Sequence, residues 1–265
     1  MAHIGIPVID LFAGPGGLGE GFAAVRDRNR NRVFDLRISI EKDPFAHQTL
    51  TLRALYRKLA NDQVPDVYYD YIRGSISKEE FYASPLIASA LQHARQEAHC
   101  LELGKHNEQI DPLIRQAVKG HDKWVLIGGP PCQAYSVAGR ARRRNEDLKT
   151  FEADPKHFLY RQYLRIIRDH QPAVFVMENV KGMLSSEHSG QRIFQQIMRD
   201  LTKPGPGIFY DIRSFVVDSR KDGLQPHDFL IEAERYGIPQ MRHRVILLGI
   251  RRGLSGLSQE LLAER

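Results

Sequence analysis

The 265-residue sequence predicts a doubly wound α/β sheet. Two observations carry that expectation. Short apolar, β-favouring runs alternate along the chain with longer stretches of helical spacing. The glycine-rich and carboxylate-bearing segments fall just past the ends of those runs, the edge where open α/β sheets take their ligands.

The first run, Ile4 to Leu11, is β-favouring apart from Pro7 and leads into Asp10-Leu11-Phe12-Ala13-Gly14-Pro15-Gly16-Gly17-Leu18-Gly19. A strand, a glycine-rich turn and a helix from Glu20 to about Arg28 form a nucleotide-cradling arrangement. Its glycines allow close backbone approach, and the helix start offers unpaired N–H groups. With no Lys-Ser/Thr after the glycines, the turn is not a phosphate-gripping P-loop. Val33 to Ile40 predicts a second strand ending at Glu41, a carboxylate suited to ribose hydroxyls. Pro44 then opens a helix reaching about Leu59.

Asp66 to Ile72 reads as a short third strand, and about 77–120 as a helical insertion. Its histidines, His93, His99 and His106, with His121 just beyond, match no metal-ligand spacing, so no metal is expected. Trp124 to Gly128 is a fourth strand, stopped by Gly129-Pro130-Pro131 with Cys132 directly after. Three backbone restrictions thus converge on one nucleophile at a strand tip. Val137 to Asp154 is long, polar and charged, the character of a functional loop. His157 to His170 has an amphipathic helical pattern. The apolar run Val174 to Met177 predicts a buried strand delivering Glu178 and Asn179. A helix over Gly190 to Leu201, a strand over Phe209 to Val217, a helix over Phe229 to Tyr236 and a last strand over Val245 to Ile250 complete the pattern. Leu254 to Arg265 holds at most one short helix.

Composition is that of an ordinary globular chain, 42% hydrophobic and 26% charged. No apolar run is long enough to span a membrane, and no signal peptide is evident. The two cysteines, Cys100 and Cys132, make no disulfide framework, which predicts a reducing, cytoplasmic setting. A net charge of +6 permits a polyanionic partner. Arginines cluster at Arg26, Arg28, Arg30 and Arg32, and again at Arg140, Arg142, Arg143 and Arg144.

Taken together and in order, Asp10 to Gly17, Glu41, Gly129-Pro130-Pro131-Cys132-Gln133, Glu178-Asn179-Val180 and Gln240-Met241-Arg242-His243-Arg244 resemble the motifs of the DNA (cytosine-5) methyltransferases. The resemblance runs from Val8 to Ile250, the helical insertion excepted. It implies a Rossmann-like, S-adenosylmethionine-dependent methyltransferase sheet, mostly parallel with a last antiparallel strand. By the same resemblance, Cys132 is the nucleophile that adds to C6 of a flipped cytosine. Glu178 holds the ring through N3 and the exocyclic amine, Arg244 lies near O2 and Arg242 supports it. The cofactor falls to Asp10, Phe12, Gly14, Gly16, Gly17, Glu41 and Pro130, with Asp70 and Leu159 as further expectations. Double-stranded DNA is the expected partner, met by Gln133, Ser136, Arg140, Arg142, Arg143 and Arg144.

Two departures qualify the resemblance. The family's Gly-Asp-Ile is represented by Tyr69-Asp70-Tyr71-Ile72. The target-recognition region and closing C-terminal motifs are not found, so 1–265 reads as one catalytic domain of a two-chain bacterial modification methylase whose second subunit supplies recognition. The alternatives are a non-catalytic or regulatory methyltransferase-like chain, a cytosine-5 methyltransferase acting on RNA, or a fragment of a longer chain.

Overall fold

A computed structural model of the chain describes residues 5–59, 64–131, 155–185, 187–188, 191–218 and 223–254. It divides into two compact units, Met1–Ala117 and Val118–Arg265. Both are mixed α/β, with parallel pairing in each and antiparallel pairing in the second.

In the first unit, β1 (Ile6–Leu11) runs into the glycine turn and α1 (Gly17–Ala24). Strand β2 (Phe34–Glu41) pairs in parallel with β1, and α2 (Pro44–Leu59) follows. Glu41 is the last residue of its strand, as the sequence predicts. The segment Asp66–Ile72 is helix α3, not the expected strand. Its tyrosines and Val67 favour β locally, but Tyr68 and Tyr71, three apart, both pack on Phe81 at centroid distances of 6.1 and 4.5 Å. That spacing puts both rings on one helical face, and tertiary packing overrides propensity.

Helix α4 (Lys78–Ala83) is opened by a reciprocal cap between Ser77 and Glu80. Ser84-Pro85 breaks the predicted continuous helix, and α5 (Ala88–Glu97) resumes it. The aromatic residues of α3 and α4 seal a local core of Ala54, Leu55, Phe81, Ile87 and Leu91. The true third strand is β3 (Ala98–Cys100), parallel to β2 with Glu41 opposite Cys100. The helical stretch therefore begins before residue 77 and is interrupted by a strand of the sheet. Helix α6 (Asn107–Ala117) closes the unit.

The Arg26–Arg32 cluster forms a tight turn between α1 and β2, held by Asp27, which accepts from the backbone N–H groups of Asn29 and Asn31. It stands at the opposite end of β2 from Glu41, about 20 Å away along an eight-residue strand.

In the second unit, β4 (Val125–Gly128) pairs in parallel with β5 (Val174–Val180), with α7 (Pro155–His170) between them in sequence. Leu159, Tyr163, Ile166 and Ile167 are buried on α7, consistent with the amphipathic pattern read over His157 to His170. Strands β6 (Glu187–His188) and β7 (Gln191–Arg192) make a small hairpin before α8 (Ile193–Thr202). Strand β8 (Tyr210–Arg213) is shorter than its sequence pattern. Residues expected to form a helix over 229–236 instead make the short strand β9 (Leu230–Glu232) followed by a 3₁₀ turn, Ala233–Tyr236. Strand β10 (His243–Arg251) runs antiparallel to β5, β8 and β9.

Candidate active site

Candidate residues occur in both units, and each set is described by itself. In the first, the turn after β1 is drawn tight by Phe12, Gly14 and Gly16, whose φ angles are 55°, 55° and 92°. A side chain at Gly16 would strike Leu50, 2.9 Å away, whereas open space lies beside Gly14 and Gly17. A ligand can therefore approach the backbone at those two residues. The Gly14 N–H donates to Glu41 Oε2 at 2.8 Å, and the Asp43 N–H donates to Glu41 Oε1 at 2.7 Å. The carboxylate is thus fixed at the lip of the turn, with lone pairs left for hydroxyl donors.

Asp10 differs from the expectation of a cofactor-binding carboxylate. Its side chain is 1% exposed and faces α1, where a Cβ on Gly19 would sit 2.9 Å from Oδ2. Among the described residues neither oxygen has a hydrogen-bond partner. Burial pushes its pKa up from 3.8 to about 8; Arg57 lowers it, Glu97 and Glu41 raise it. The Gly19 amide also lowers it slightly from outside hydrogen-bond geometry.

Asp70 lies in α3, ion-paired loosely with Arg73, rather than at a strand tip. The carboxylate just beyond β3 is Glu102, which accepts from Lys42 Nζ at 3.1 Å across the ends of β2 and β3. A three-residue strand leaves too little alternation to be seen in sequence, so Glu102 went unread. His106 Nδ1 accepts from the Glu102 N–H, His93 Nδ1 bonds to the Ser89 carbonyl within α5, and His99 Nε2, on β3, bonds to the Gln96 carbonyl of α5. Among the described residues no group of His, Cys, Asp or Glu is arranged to hold a metal ion.

In the second unit, Glu178 on β5 and Arg244 on β10 meet because the two strands pair with Arg244 opposite Val180 and Ile246 opposite Glu178. Arg244 Nε donates to Glu178 Oε1 at 2.6 Å, and Arg242 Nη2 stands 4.0 Å from the same oxygen. Glu178 is about one quarter exposed, so the pair opens to solvent on one side. Its Oε2 lies against Gly129, where a Cβ would be only 3.0 Å away. Asn179, buried, donates through Nδ2 to the carbonyl of Pro130 at 3.1 Å and accepts the Val180 N–H through Oδ1. Asn179 thereby clamps the turn that carries Pro130 and Pro131, two residues short of Cys132. Leu159 is buried on α7. Cys132, Gln133, Ser136, Arg140, Arg142, Arg143 and Arg144 lie outside the described residues.

The profile of C-5 cytosine-specific DNA methylases matches residues 90–264. The chain belongs to that methylase family. Among its relatives is the type II methyltransferase M.Bpa9945I of Bacillus paralicheniformis, 30% identical over 94% of this chain and 54% of its own length. The DNA-cytosine methyltransferase of Escherichia coli K12 is 29% identical over 96% of this chain and 44% of its own. The type II methyltransferase M.AquIA of Picosynechococcus is 29% identical over 93% of this chain and 72% of its own. A prophage-encoded DNA modification methyltransferase of E. coli superposes with a TM-score of 0.47 at 23% identity, over 93% of this chain and 47% of that one. The methylase chain described here spans about half the length of the first of these relatives. No described helix is long and apolar enough to cross a membrane.

Proposed function

We propose that this methylase chain is the catalytic part of a DNA (cytosine-5) methyltransferase. The first unit binds S-adenosylmethionine and the second holds a cytosine turned out of the duplex. The observation that carries this reading is the Glu178–Arg244 pair, with Arg242 beside it and Asn179 bracing the turn before Cys132. For the cofactor, the open backbone at Gly14 and Gly17 and the fixed Glu41 carboxylate suit a nucleoside with two ribose hydroxyls. Phe12 and Gly16 shape that turn, Pro130 and Leu159 belong to the second unit, and Glu102 now joins Asp70 as an acceptor for the adenine amine. S-adenosylmethionine supplies an electrophilic methyl group when bound.

The chain's own residues do the rest. C5 of cytosine is too weak a nucleophile to accept a methyl group directly. The Cys132 thiolate adds to C6, forming an S–C6 bond and moving the C5–C6 electron pair onto C5. Glu178 favours that addition by hydrogen bonding at N3 and the exocyclic amine. Arg244 orients Glu178 through Nε and retains donors for O2. Once C5 is methylated, its proton leaves to a base and the S–C6 bond breaks, releasing Cys132 and restoring the aromatic ring. Gln133, Ser136, Arg140 and Arg142 to Arg144 meet the DNA backbone, which positions the enzyme without reading sequence.

Sequence readout is assigned to a second subunit that carries the recognition region. The test is transfer of tritiated methyl from S-adenosylmethionine to duplex DNA. Slow transfer by this chain, stimulation by a recognition chain and loss in Cys132→Ser are expected. Fast, sequence-specific methylation by the chain alone would overturn the two-subunit part. Transfer that survives Cys132→Ser, or goes to RNA in preference to duplex DNA, would overturn the chemistry.

A further inference from the structure

Beneath the cofactor turn lies an ionic cluster that the methyl-transfer chemistry does not use. Arg57, at the end of α2 and 8% exposed, bonds both Glu20 of α1 and Glu97 of α5. Lys58 reaches the second oxygen of Glu97 at 2.9 Å. Asp10, on β1, is the third carboxyl of this group and interacts electrostatically with Arg57, Glu97 and Glu41 of β2. Ser39, opposite Asp10 in the β1–β2 register, adds a buried hydroxyl with no hydrogen-bond partner among the described residues.

The count of charges is informative. Two cations, Arg57 and Lys58, face three carboxyls, Glu20, Glu97 and Asp10. Fully ionised, the group carries one uncompensated negative charge inside the fold, which is costly. Placing a proton on one carboxyl removes it. Glu20 and Glu97 have cations upon them, Glu97 Oε2 through its ion pair with Lys58 alone, whereas among the described residues Asp10 has neither an ion pair nor a hydrogen bond on either oxygen. The first turn of α1 favours a negative charge there, but burial opposes it more strongly.

We propose that Asp10 is a positioning residue of the cofactor turn that works as a neutral carboxylic acid, and that loss of its proton loosens the turn. This rests on the reading of that turn as the S-adenosylmethionine cradle. The mechanical link is short. Asp10 stands two residues before the left-handed Phe12, and its carboxyl abuts Gly19 on the helix that the turn opens. Its ionisation sets a new negative charge near Glu97 and near Glu41, the carboxylate that the Gly14 N–H holds in place. Repulsion at Glu41 acts directly on the ribose acceptor.

The experiment is calorimetric binding of S-adenosylmethionine from pH 6.5 to 9.5, for the wild-type chain and for Asp10→Asn, a neutral isostere. The wild type is expected to lose affinity in a one-proton alkaline limb, up to about tenfold per pH unit, while D10N shows no limb. A flat wild-type profile, or the same limb in D10N, would overturn the proposal. Carbon-13 NMR of the Asp10 carboxyl decides the matter should D10N fail to fold or should the chain bind no cofactor at any pH, an outcome that by itself sinks only the cofactor reading. Titration near 8 supports the neutral acid, and titration below 5 refutes it.

Discussion

Glu178 is the residue on which the site turns, because three separate features converge on its carboxyl group. Arg244 bonds one oxygen, Arg242 approaches the same one, and the other lies against a glycine that leaves room for it. Replacing Arg244 with Ala removes a charge-assisted bond and leaves the carboxylate partly buried. A loss of about 1 kcal/mol in urea unfolding is expected, kept small by partial exposure. Methylation should fall by roughly a hundredfold or more, since in the proposed mechanism the arginine orients the group that holds the base. Arg244→Lys should recover little of it, because a point charge does not reproduce the guanidinium fork. Asp10 gives a prediction of opposite character. Its folded pKa, about 8, stands above the unfolded value of 3.8, so the native state holds the extra proton between those limits. Stability should therefore fall as pH rises from about 4 to 8 and level off above, and D10N should flatten that slope in thermal melts across the range. The strand positions of Glu41 and Glu178 were legible in sequence because the first ends an alternating stretch and the second follows the apolar run Val174 to Met177. The burial of Asp10 was not, since a carboxylate at a strand end has the same pattern whether it faces ligand or core.

At the scale of elements, the antiparallel pairing of β5 and β10 brings Glu178 and Arg244 together, and its register must hold. Gly249 sits opposite Phe175 in that pairing, and the ring occupies the space where a Cβ would stand. Gly249→Ala is expected to cost about 1–3 kcal/mol through forced displacement of Phe175, measured by chemical denaturation. Phe175 also meets Tyr163 and Tyr210 edge-on or tilted, so the shift would propagate into the α7 packing. Asn179→Ala should cost about 1–3 kcal/mol by freeing the Pro130 carbonyl, and should slow methylation more than it weakens cofactor binding. Strands delivered by continuous apolar runs, such as Val125–Gly128 and Val174–Val180, are the ones sequence finds. Two elements escaped it. Helix α3 is rich in β-favouring tyrosine and is fixed by contacts of Tyr68 and Tyr71 to Phe81, which lies beyond the helix in sequence. Strand β3 is three residues long and hides inside a helical stretch.

For the whole molecule, the net charge of +6 and the arginine run ending at Arg144 predict binding to duplex DNA that weakens steeply with salt. Replacing Arg142, Arg143 and Arg144 together with Ala should weaken DNA binding uniformly across sequences and reduce the salt slope by about 2–3. The other cluster, Arg26 to Arg32, stands at the far end of β2 from Glu41, and its substitution should leave that slope unchanged. The central claim is that Cys132 attacks a cytosine held by Glu178, and covalent capture tests it most directly. A duplex of mixed sequence in which every cytosine is 5-fluorinated has no C5 proton to lose, so an adduct, once methylated, accumulates even if turnover is slow. Incubation with S-adenosylmethionine, digestion and mass spectrometry should find the fluoropyrimidine on the peptide containing Cys132, and no adduct in Cys132→Ser. Absence of any adduct after prolonged incubation, or attachment at Cys100, would contradict the account.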